Sequence, residues 1–138
     1  MQVNWDSIVK TYDVRGLVDV DLTDAVVKAL AAGFVDELGL AGHSVVVGHD
    51  MRDSSPRFAA SFAEGATARG ADVINLGLCS TDESYFASGQ LNMAAAMFTA
   101  SHNPAEYNGI KLCRAGAAPV GQDSGLAKIR EMLESESL

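Results

Sequence analysis

Blocks of apolar residues at two different spacings divide this chain into alternating helices and strands. Between Asp21 and Gly39, apolar side chains recur every three or four positions, which is typical of an amphipathic helix with a polar start and a glycine stop. Ser44–Gly48, by contrast, is a β-branched run typical of a buried strand. Repetition of the two patterns predicts helices over about residues 24–38, 56–70, 82–88 and 123–133, and strands over 44–48, 72–76, 92–99 and 109–114.

This alternation favours an α/β fold, a three-layer αβα domain with a mixed, mostly parallel sheet that helices cover on both faces. The segment up to Gly16 has no clear period, and Gly116–Gly121 is predicted to be irregular. We expect residues 1–133 to form the domain and residues 134–138 to be a frayed tail or an interdomain linker. Because such sheets bind ligands at the carboxyl ends of their strands, the polar segments that follow strands are the first places to look for a site.

Composition limits the classes of partner. A chain of 138 residues with 48% hydrophobic residues can bury a core of its own, and no stretch is apolar for long enough to span a bilayer. The formal net charge of −8 argues against a nucleic-acid surface, which needs clustered Lys and Arg. The N-terminal residues lack the basic and apolar regions of a signal peptide, and Cys79 and Cys113 are predicted to be reduced core thiols, so we expect a cytoplasmic setting.

Four of the ten cationic residues lie in or beside the segments that look least structural. They are Lys10, Arg15, Lys111 and Arg114. A local basic site on an acidic protein fits a small anionic ligand better than a polymer, although solvated surface charge is the usual fate of such residues.

Residues 99–104 read Thr-Ala-Ser-His-Asn-Pro, and Asn108-Gly109-Ile110-Lys111 follows. The segment places the Ser101 hydroxyl in a polar break between two apolar runs, at the carboxyl end of a predicted strand. Phosphoryl transfer needs positioning and positive charge around the phosphate oxygens, which Lys111, the His102 ring and loop amides could supply in part. The alternative is that Ser101 and Asn103 merely close a turn before Pro104, and composition alone favours that alternative.

Two other polar segments are candidates. In Tyr12–Gly16, Arg15 can bind a phosphate through its planar fork and Tyr12 can donate a hydrogen bond; the alternative is a surface loop with an Asp13–Arg15 pair. In Gly48–Ser55, Asp50 could bind Mg²⁺ or accept a phosphoryl group, whereas capping of the next helix is the stronger interpretation. Arg52 is expected to be an electrostatic partner and not a catalyst. The acidic run at residues 19–24 is interpreted as a helix start and not as a metal loop.

Taken together, these segments resemble the first domain of the α-D-phosphohexomutases, and within that superfamily the bacterial phosphomannomutase/phosphoglucomutase enzymes. Thr99–Pro104 with Asn108–Lys111 resembles the family's serine loop, Tyr12–Gly16 its opening Tyr-Asp-Ile-Arg-Gly motif, and Val45–Ser55 its Gly-x-Asp-x-Arg-x-Ser segment. The resemblance runs from about residue 8 to about residue 130. Three motifs in the same order and at suitable spacing are far more specific than a lone turn.

The resemblance implies that Ser101 carries a phosphate and donates it to a hexose monophosphate, so that a 1,6-bisphosphate forms, turns over and returns its other phosphate. Mg²⁺ would bind through the Ser101 phosphate, with its Asp ligands outside this chain. Lys111 would be a general acid/base, with His102, Tyr12 and Arg15 nearby, and Asn103 would shape the loop. The implied partners are mannose or glucose 1- and 6-phosphates and the remaining domains of the same enzyme, without nucleic acid or membrane.

The family's magnesium loop, sugar-specificity loop and C-terminal phosphate-binding loop do not occur in these 138 residues, so we expect the isolated chain to be inactive as a mutase. Residues 80–83 read Ser-Thr-Asp-Glu where relatives often have Thr-Pro, which should alter turn geometry more than chemistry. Two alternatives remain open: a stand-alone phosphate-binding module with Asp50 as acceptor, and a structural fragment that self-associates through an exposed apolar face.

Overall fold

The computed structural model describes residues 4–10, 13–100 and 103–135. Its helices are α1 (Trp5–Ile8), α2 (Asp24–Leu38), α3 (Ser55–Ala68), α4 (Thr81–Leu91) and α5 (Leu126–Glu134), with a single 3₁₀ turn at Gln122–Ser124 before α5. The strands are β1 (Val14–Leu17), β2 (Ser44–His49), β3 (Asp72–Leu78), β4 (Ala94–Phe98), β5 (Tyr107–Arg114) and β6 (Ala118–Pro119).

The six strands form one mixed sheet in the order β1-β5-β4-β2-β3, with β6 added to β5. Strand β2 pairs in parallel with β3 and β4, whereas β5 runs antiparallel to β4, β1 and β6. The predicted α/β fold with a mixed sheet is therefore confirmed. Helix α1 and most of strand β1 lie in the opening segment, which showed no clear period, and β6 lies in the segment predicted to be irregular, so that last prediction is wrong for residues 118 and 119. Edge strands this short carry too few residues to show a period.

The main core lies between one face of the sheet and helices α1, α2, α3 and α5. Its aromatic centre runs from Phe34 on α2 through Phe62 on α3 to Phe98 on β4, with ring centroids 5.9 and 5.7 Å apart. All three rings are fully buried, so each contributes about 2–3 kcal/mol of hydrophobic stabilisation. Helix α2 is capped by Thr23, whose hydroxyl accepts from the amide of Val26, and it ends at Gly39 in the left-handed conformation.

Helix α4 covers the opposite face, over a smaller core of Val46, Ala95 and Cys113. It begins with a capping box in which Ser80 and Glu83 exchange side-chain and backbone hydrogen bonds. This face is less completely covered: Leu78 and Phe86 are exposed and line an open groove of about 510 Å³. Within the described ranges, no helix combines the length and hydropathy that crossing a bilayer requires.

We expect Gly65→Ala to destabilise the domain by about 1–3 kcal/mol, because α2 and α3 touch at this glycine. A Cβ there would lie 2.5 Å from the Lys28 carbonyl oxygen and 3.0 Å from the Ala31 Cβ, both on α2. The measurement is the free energy of unfolding in urea. Gly89→Ala is the matched control, since its Cβ would meet only Ala117 at 3.8 Å; helix propensity should make that variant roughly 0.5–1 kcal/mol more stable. Equal effects of the two substitutions would contradict the close contact.

The two cysteines are free thiols, as expected, and Cys113 is fully buried. Burial raises the pKa of Cys113 from 9.0 to about 11, because the thiolate loses hydration. Burial also raises the pKa of Cys79, which is only partly covered on the groove side.

This burial predicts a pH dependence of stability. Between pH 9 and about 11 the unfolded chain loses the Cys113 proton while the folded chain keeps it, so stability falls as pH rises, by up to about 1.4 kcal/mol per pH unit. Urea unfolding at several pH values should therefore give a shallower decline for Cys113→Ala than for the parent. Cys79→Ala is the control and should retain most of the slope; an unchanged slope in Cys113→Ala would refute the assignment.

Candidate functional site

Strands β1 and β5 bring Arg15 and Lys111 onto a single carboxylate. Arg15 pairs with Gly109 in the antiparallel ladder, and Lys111 follows two residues later on the same face of β5. The Arg15 Nε lies 3.1 Å from Asp13 Oδ1, and the Lys111 Nζ lies 3.5 Å from Asp13 Oδ2. The Asp13 side chain is only 9% exposed, whereas Arg15 and Lys111 are 38% and 25% exposed. A nearly buried anion thus holds two cations that solvent, and an anionic ligand, can reach.

The interpretation of Tyr12–Gly16 as a surface loop is wrong for its second half, because Val14–Leu17 is strand β1. Arg15 is therefore fixed by a backbone ladder, and only its side chain projects outwards. The Asp13–Arg15 pair considered from the sequence is present, but it is half of a three-residue cluster. Pairing of residues 13 and 111 could not be read from sequence spacing, since it depends on how β1 and β5 pair.

Gly109 allows the Arg15 side chain to lie against the sheet. A Cβ on Gly109 would lie 2.7 Å from the Arg15 Cγ and 3.1 Å from the Thr99 carbonyl oxygen, and it would clash with the Val14 carbonyl oxygen as well. Three pieces of chain therefore converge where a side chain has no room. The Gly109 carbonyl also accepts from the Thr99 amide at 3.0 Å, which ties this point to the end of β4.

Tyr85 on α4 lies on the same side of the sheet. Burial raises its pKa first of all, and the charges of Cys113, Asp13 and Asp82 raise it further. Its phenol is therefore held in the neutral form. Nothing in the sequence pattern singled out Tyr85, because the tyrosine lies on a helix and only its packing brings it near Asp13.

The loop after β4 contains the remaining residues predicted from sequence. Ser101 and His102, like Tyr12, lie outside the described residues. On either side of them, the Asn103 backbone amide and side-chain amide both donate to the Ala100 carbonyl oxygen, at 3.0 and 2.7 Å. Asn103 thus ties together the chain before and after the serine and histidine.

Asp50 is engaged by two neighbouring residues, Arg52 and Ser55. Its Oδ1 accepts from the Ser55 hydroxyl at 2.6 Å and from the Arg52 amide at 3.0 Å, while its Oδ2 lies 3.3 Å from the Arg52 Nε. The expected cap of α3 is displaced by one residue: Ser54 is the N-cap and its side chain makes no capping bond. The Ser54 hydroxyl instead accepts from Asn108, a buried residue that also donates to Ser55; Asn108 was included in a sequence motif, but neither contact was predicted.

The acidic run at residues 19–24 contributes to the start of α2, as predicted, and its first residue also forms an ion pair at the surface. Thr23 caps α2, Asp24 lies in its first turn, and Asp19 pairs with Arg57 at 2.7 Å. Residues 4–10, 13–100 and 103–135 contain no group of three or more His, Cys, Asp or Glu side chains able to hold a metal ion. The described residues do not by themselves fit a Mg²⁺ site, since the Asp13 and Asp50 carboxylates already bind cationic side chains.

The chain is similar to proteins described as phosphohexose mutases and phosphomannomutases. A Xanthomonas campestris protein described as phosphohexose mutases is 39% identical over 129 residues, and a phosphomannomutase from Salmonella typhimurium is 35% identical over 127 residues. These matches cover 93% and 91% of the chain but only 28% and 27% of the relatives. The chain therefore spans about a quarter of the length of the curated relatives it matches.

A crystal structure of a phosphoglucomutase/phosphomannomutase family protein from Burkholderia thailandensis superposes with a TM-score of 0.80 at 30% identity, covering 96% of this chain and 31% of that one. The family model for the phosphoglucomutase/phosphomannomutase alpha/beta/alpha domain I matches residues 6–138, which is almost the whole sequence. On this match, and on the sheet that carries Arg15, Lys111 and the loop after β4, the chain belongs to the phosphoglucomutase/phosphomannomutase family as an example of its domain I.

Proposed function

We propose that this chain is the catalytic phosphoserine domain of a phosphohexomutase that interconverts hexose 1-phosphate and hexose 6-phosphate, with mannose or glucose phosphates as substrates. The observation that supports the proposal most strongly is the Asp13–Arg15–Lys111 cluster. It presents two positive side chains, Arg15 on β1 and Lys111 on β5, the strand that follows the segment around residue 101. Cations held in advance by a carboxylate can stabilise phosphate oxygens without reorganising during the reaction.

In the proposed reaction, a sugar hydroxyl attacks the phosphorus of phosphorylated Ser101 and the bond from phosphorus to the serine oxygen breaks. The sugar oxygen loses a proton and the serine oxygen gains one, so a 1,6-bisphosphate forms with no net change in protons. The bisphosphate turns over and returns its other phosphoryl group to Ser101. Lys111 is the proposed acid in one direction and base in the other, while Arg15 binds phosphate oxygens.

Three further residues belong to the proposal by resemblance. Tyr12 and His102 would bind or orient the phosphate, and Asn103 would shape the loop by holding the Ala100 carbonyl. Magnesium would offset the charge of the Ser101 phosphate when bound. Its carboxylate ligands would have to come from outside this chain, because the acidic side chains next to the described site already bind Arg15, Arg52 and Lys111.

We also propose that further domains of the same enzyme complete the site. The Xanthomonas and Salmonella relatives are several times longer than this chain, and their matches cover more than nine tenths of it. Those further domains would supply the magnesium ligands and the pocket that selects the sugar.

The alternative with Asp50 as phosphoacceptor is weaker on geometric grounds. To attack a phosphorus, the Asp50 carboxylate would have to give up hydrogen bonds from Ser55 and the Arg52 amide and its ion pair with the Arg52 guanidinium. The alternative of a self-associating fragment rests on the groove beside Leu78 and Phe86, and it is tested by the mass of the chain in solution.

Incubation of the purified chain with a hexose 1,6-bisphosphate should add one phosphoryl group, which peptide mapping assigns to Ser101. The expected reason is that Arg15 and Lys111 favour the anionic product at that position. Ser101→Ala should abolish the mass increase. Ser135→Ala is the matched control and should retain it, since Ser135 follows α5 and its hydroxyl donates to the Met132 carbonyl oxygen. Label on Asp50, or label that persists in Ser101→Ala, would contradict the proposal.

The chain alone should show no measurable turnover of mannose 1-phosphate or glucose 1-phosphate. The physical reason is that one phosphoserine supplies a single oxygen ligand to a magnesium ion, which needs about six. A coupled assay for the 6-phosphate product, with Ser101→Ala as the background, measures this. Turnover above that background would refute the proposed need for further domains.

A further inference from the structure

Arg52 connects the end of β2 with the chain that follows residues 101 and 102. Its Nη1 donates to the Pro104 carbonyl oxygen at 2.8 Å and to the Tyr107 carbonyl oxygen at 3.0 Å. Its Nη2 donates to the Asn103 carbonyl oxygen at 2.8 Å. These partners lie more than fifty residues away in sequence, so a single side chain fixes the return path of this loop.

The guanidinium is itself held from behind. Asp50 lies 3.3 Å from the Arg52 Nε and also accepts the Arg52 backbone amide, and its own backbone amide donates to the Phe98 carbonyl oxygen. Ser55 supplies a second donor to the same carboxylate at 2.6 Å. The Arg52 side chain is only 12% exposed, so the residues packed around it restrict its conformation more than solvent would at the surface.

Three carbonyl oxygens that converge on one point repel one another and need a donor that reaches all of them. A guanidinium meets that need because its donors form a rigid planar fork, whereas an ammonium is a compact charge on a flexible stem. The site therefore selects arginine by geometry as well as by charge.

We propose that Arg52 is the positioning residue for Ser101. The guanidinium fixes the backbone from Asn103 to Tyr107, and Asn103 in turn holds Ala100, so the chain is anchored on both sides of the proposed nucleophile. In this proposal Arg52 acts through the backbone that it holds. The proposal rests on the proposed function of Ser101, but the anchoring itself concerns only described residues.

Amide hydrogen exchange tests the anchoring directly. In Arg52→Gln, the amides of Asn103 and Tyr107, which bond to Ala100 and Pro104, should exchange on the order of tenfold faster, while the amides of β2 should keep their rates. Arg57→Gln is the matched control, because Arg57 pairs at the surface with Asp19 and Asp24. Unchanged exchange at Asn103 and Tyr107 in Arg52→Gln would overturn the proposal, whether or not Ser101 is phosphorylated.

Rescue separates geometry from charge. In Arg52→Lys, the amides of Asn103 and Tyr107 should exchange almost as fast as in Arg52→Gln. The lysine variant also replaces the glutamine variant if the latter does not fold. Guanidinium chloride at non-denaturing concentration should restore their protection in Arg52→Ala, and sodium chloride at the same concentration should not. Full protection in Arg52→Lys would overturn the argument for the planar fork.

The final readout is the rate at which Ser101 acquires phosphate from a hexose 1,6-bisphosphate. Arg52→Gln should lower this rate on the order of tenfold or more, since misplacement of a nucleophile by about 1 Å costs that much, and Arg57→Gln should not. An unchanged rate together with faster exchange would overturn the positioning role. Absence of label in the parent chain would instead refute the proposed function, and the exchange result would still decide the anchoring.

Discussion

The site depends on one strand that runs against its neighbours. Strand β5 lies between β4 and β1 and is antiparallel to both, so it returns from the loop after β4 and passes directly beside β1. The return requires Gly109, where the backbones of Val14 and Thr99 and the Arg15 side chain leave no room for a Cβ. Without this close approach, Lys111 would not pair with the Asp13 carboxylate, which also binds Arg15 and lies about a hundred positions earlier in the chain.

The carboxylates of this region serve to hold cations. Asp13 binds Arg15 and Lys111, and Asp50 binds Arg52. Each acid is mostly buried, and a buried carboxylate without a partner would be costly. The pairs therefore hold cationic side chains in fixed positions on a chain whose net charge is −8. The two clusters differ in what surrounds the cation. Arg15 and Lys111 are partly exposed to solvent, which suits an anionic ligand. Arg52 is largely covered and donates to backbone carbonyl oxygens.

The sequence predicted the central elements well because their periods are long and undisturbed. Helices α2 and α3 and strands β2 and β4 each bury a continuous apolar pattern, and the fold class follows from their alternation. What it missed were short elements and pairings. Strand β1 has four residues with one small and one charged member, so its identity comes from the ladder with β5 and not from its composition. Arg15 and Lys111 were found as candidates by residue type, but Asp13 as their common partner and Tyr85 as a neighbour depend on tertiary packing. The contacts of Asn108 were missed for the same reason, since its buried amide is explained only by Ser54 and Ser55 across the domain.

The segment from Gly48 to Ser55 shows how the same residues support different hypotheses before and after the fold is known. In sequence, an aspartate after a strand suggests a metal ligand or a phosphoacceptor. In the structure, that carboxylate accepts from Ser55 and pairs with Arg52, and the Arg52 side chain reaches the loop that carries the proposed nucleophile. The spacing of Asp50 and Arg52 therefore has a structural explanation. The Asp50 carboxylate orients the Arg52 guanidinium, and the guanidinium holds three backbone carbonyls in place. A segment that suggests a metal or phosphoryl site from its sequence is therefore better understood as a support for the loop that follows the neighbouring strand β4.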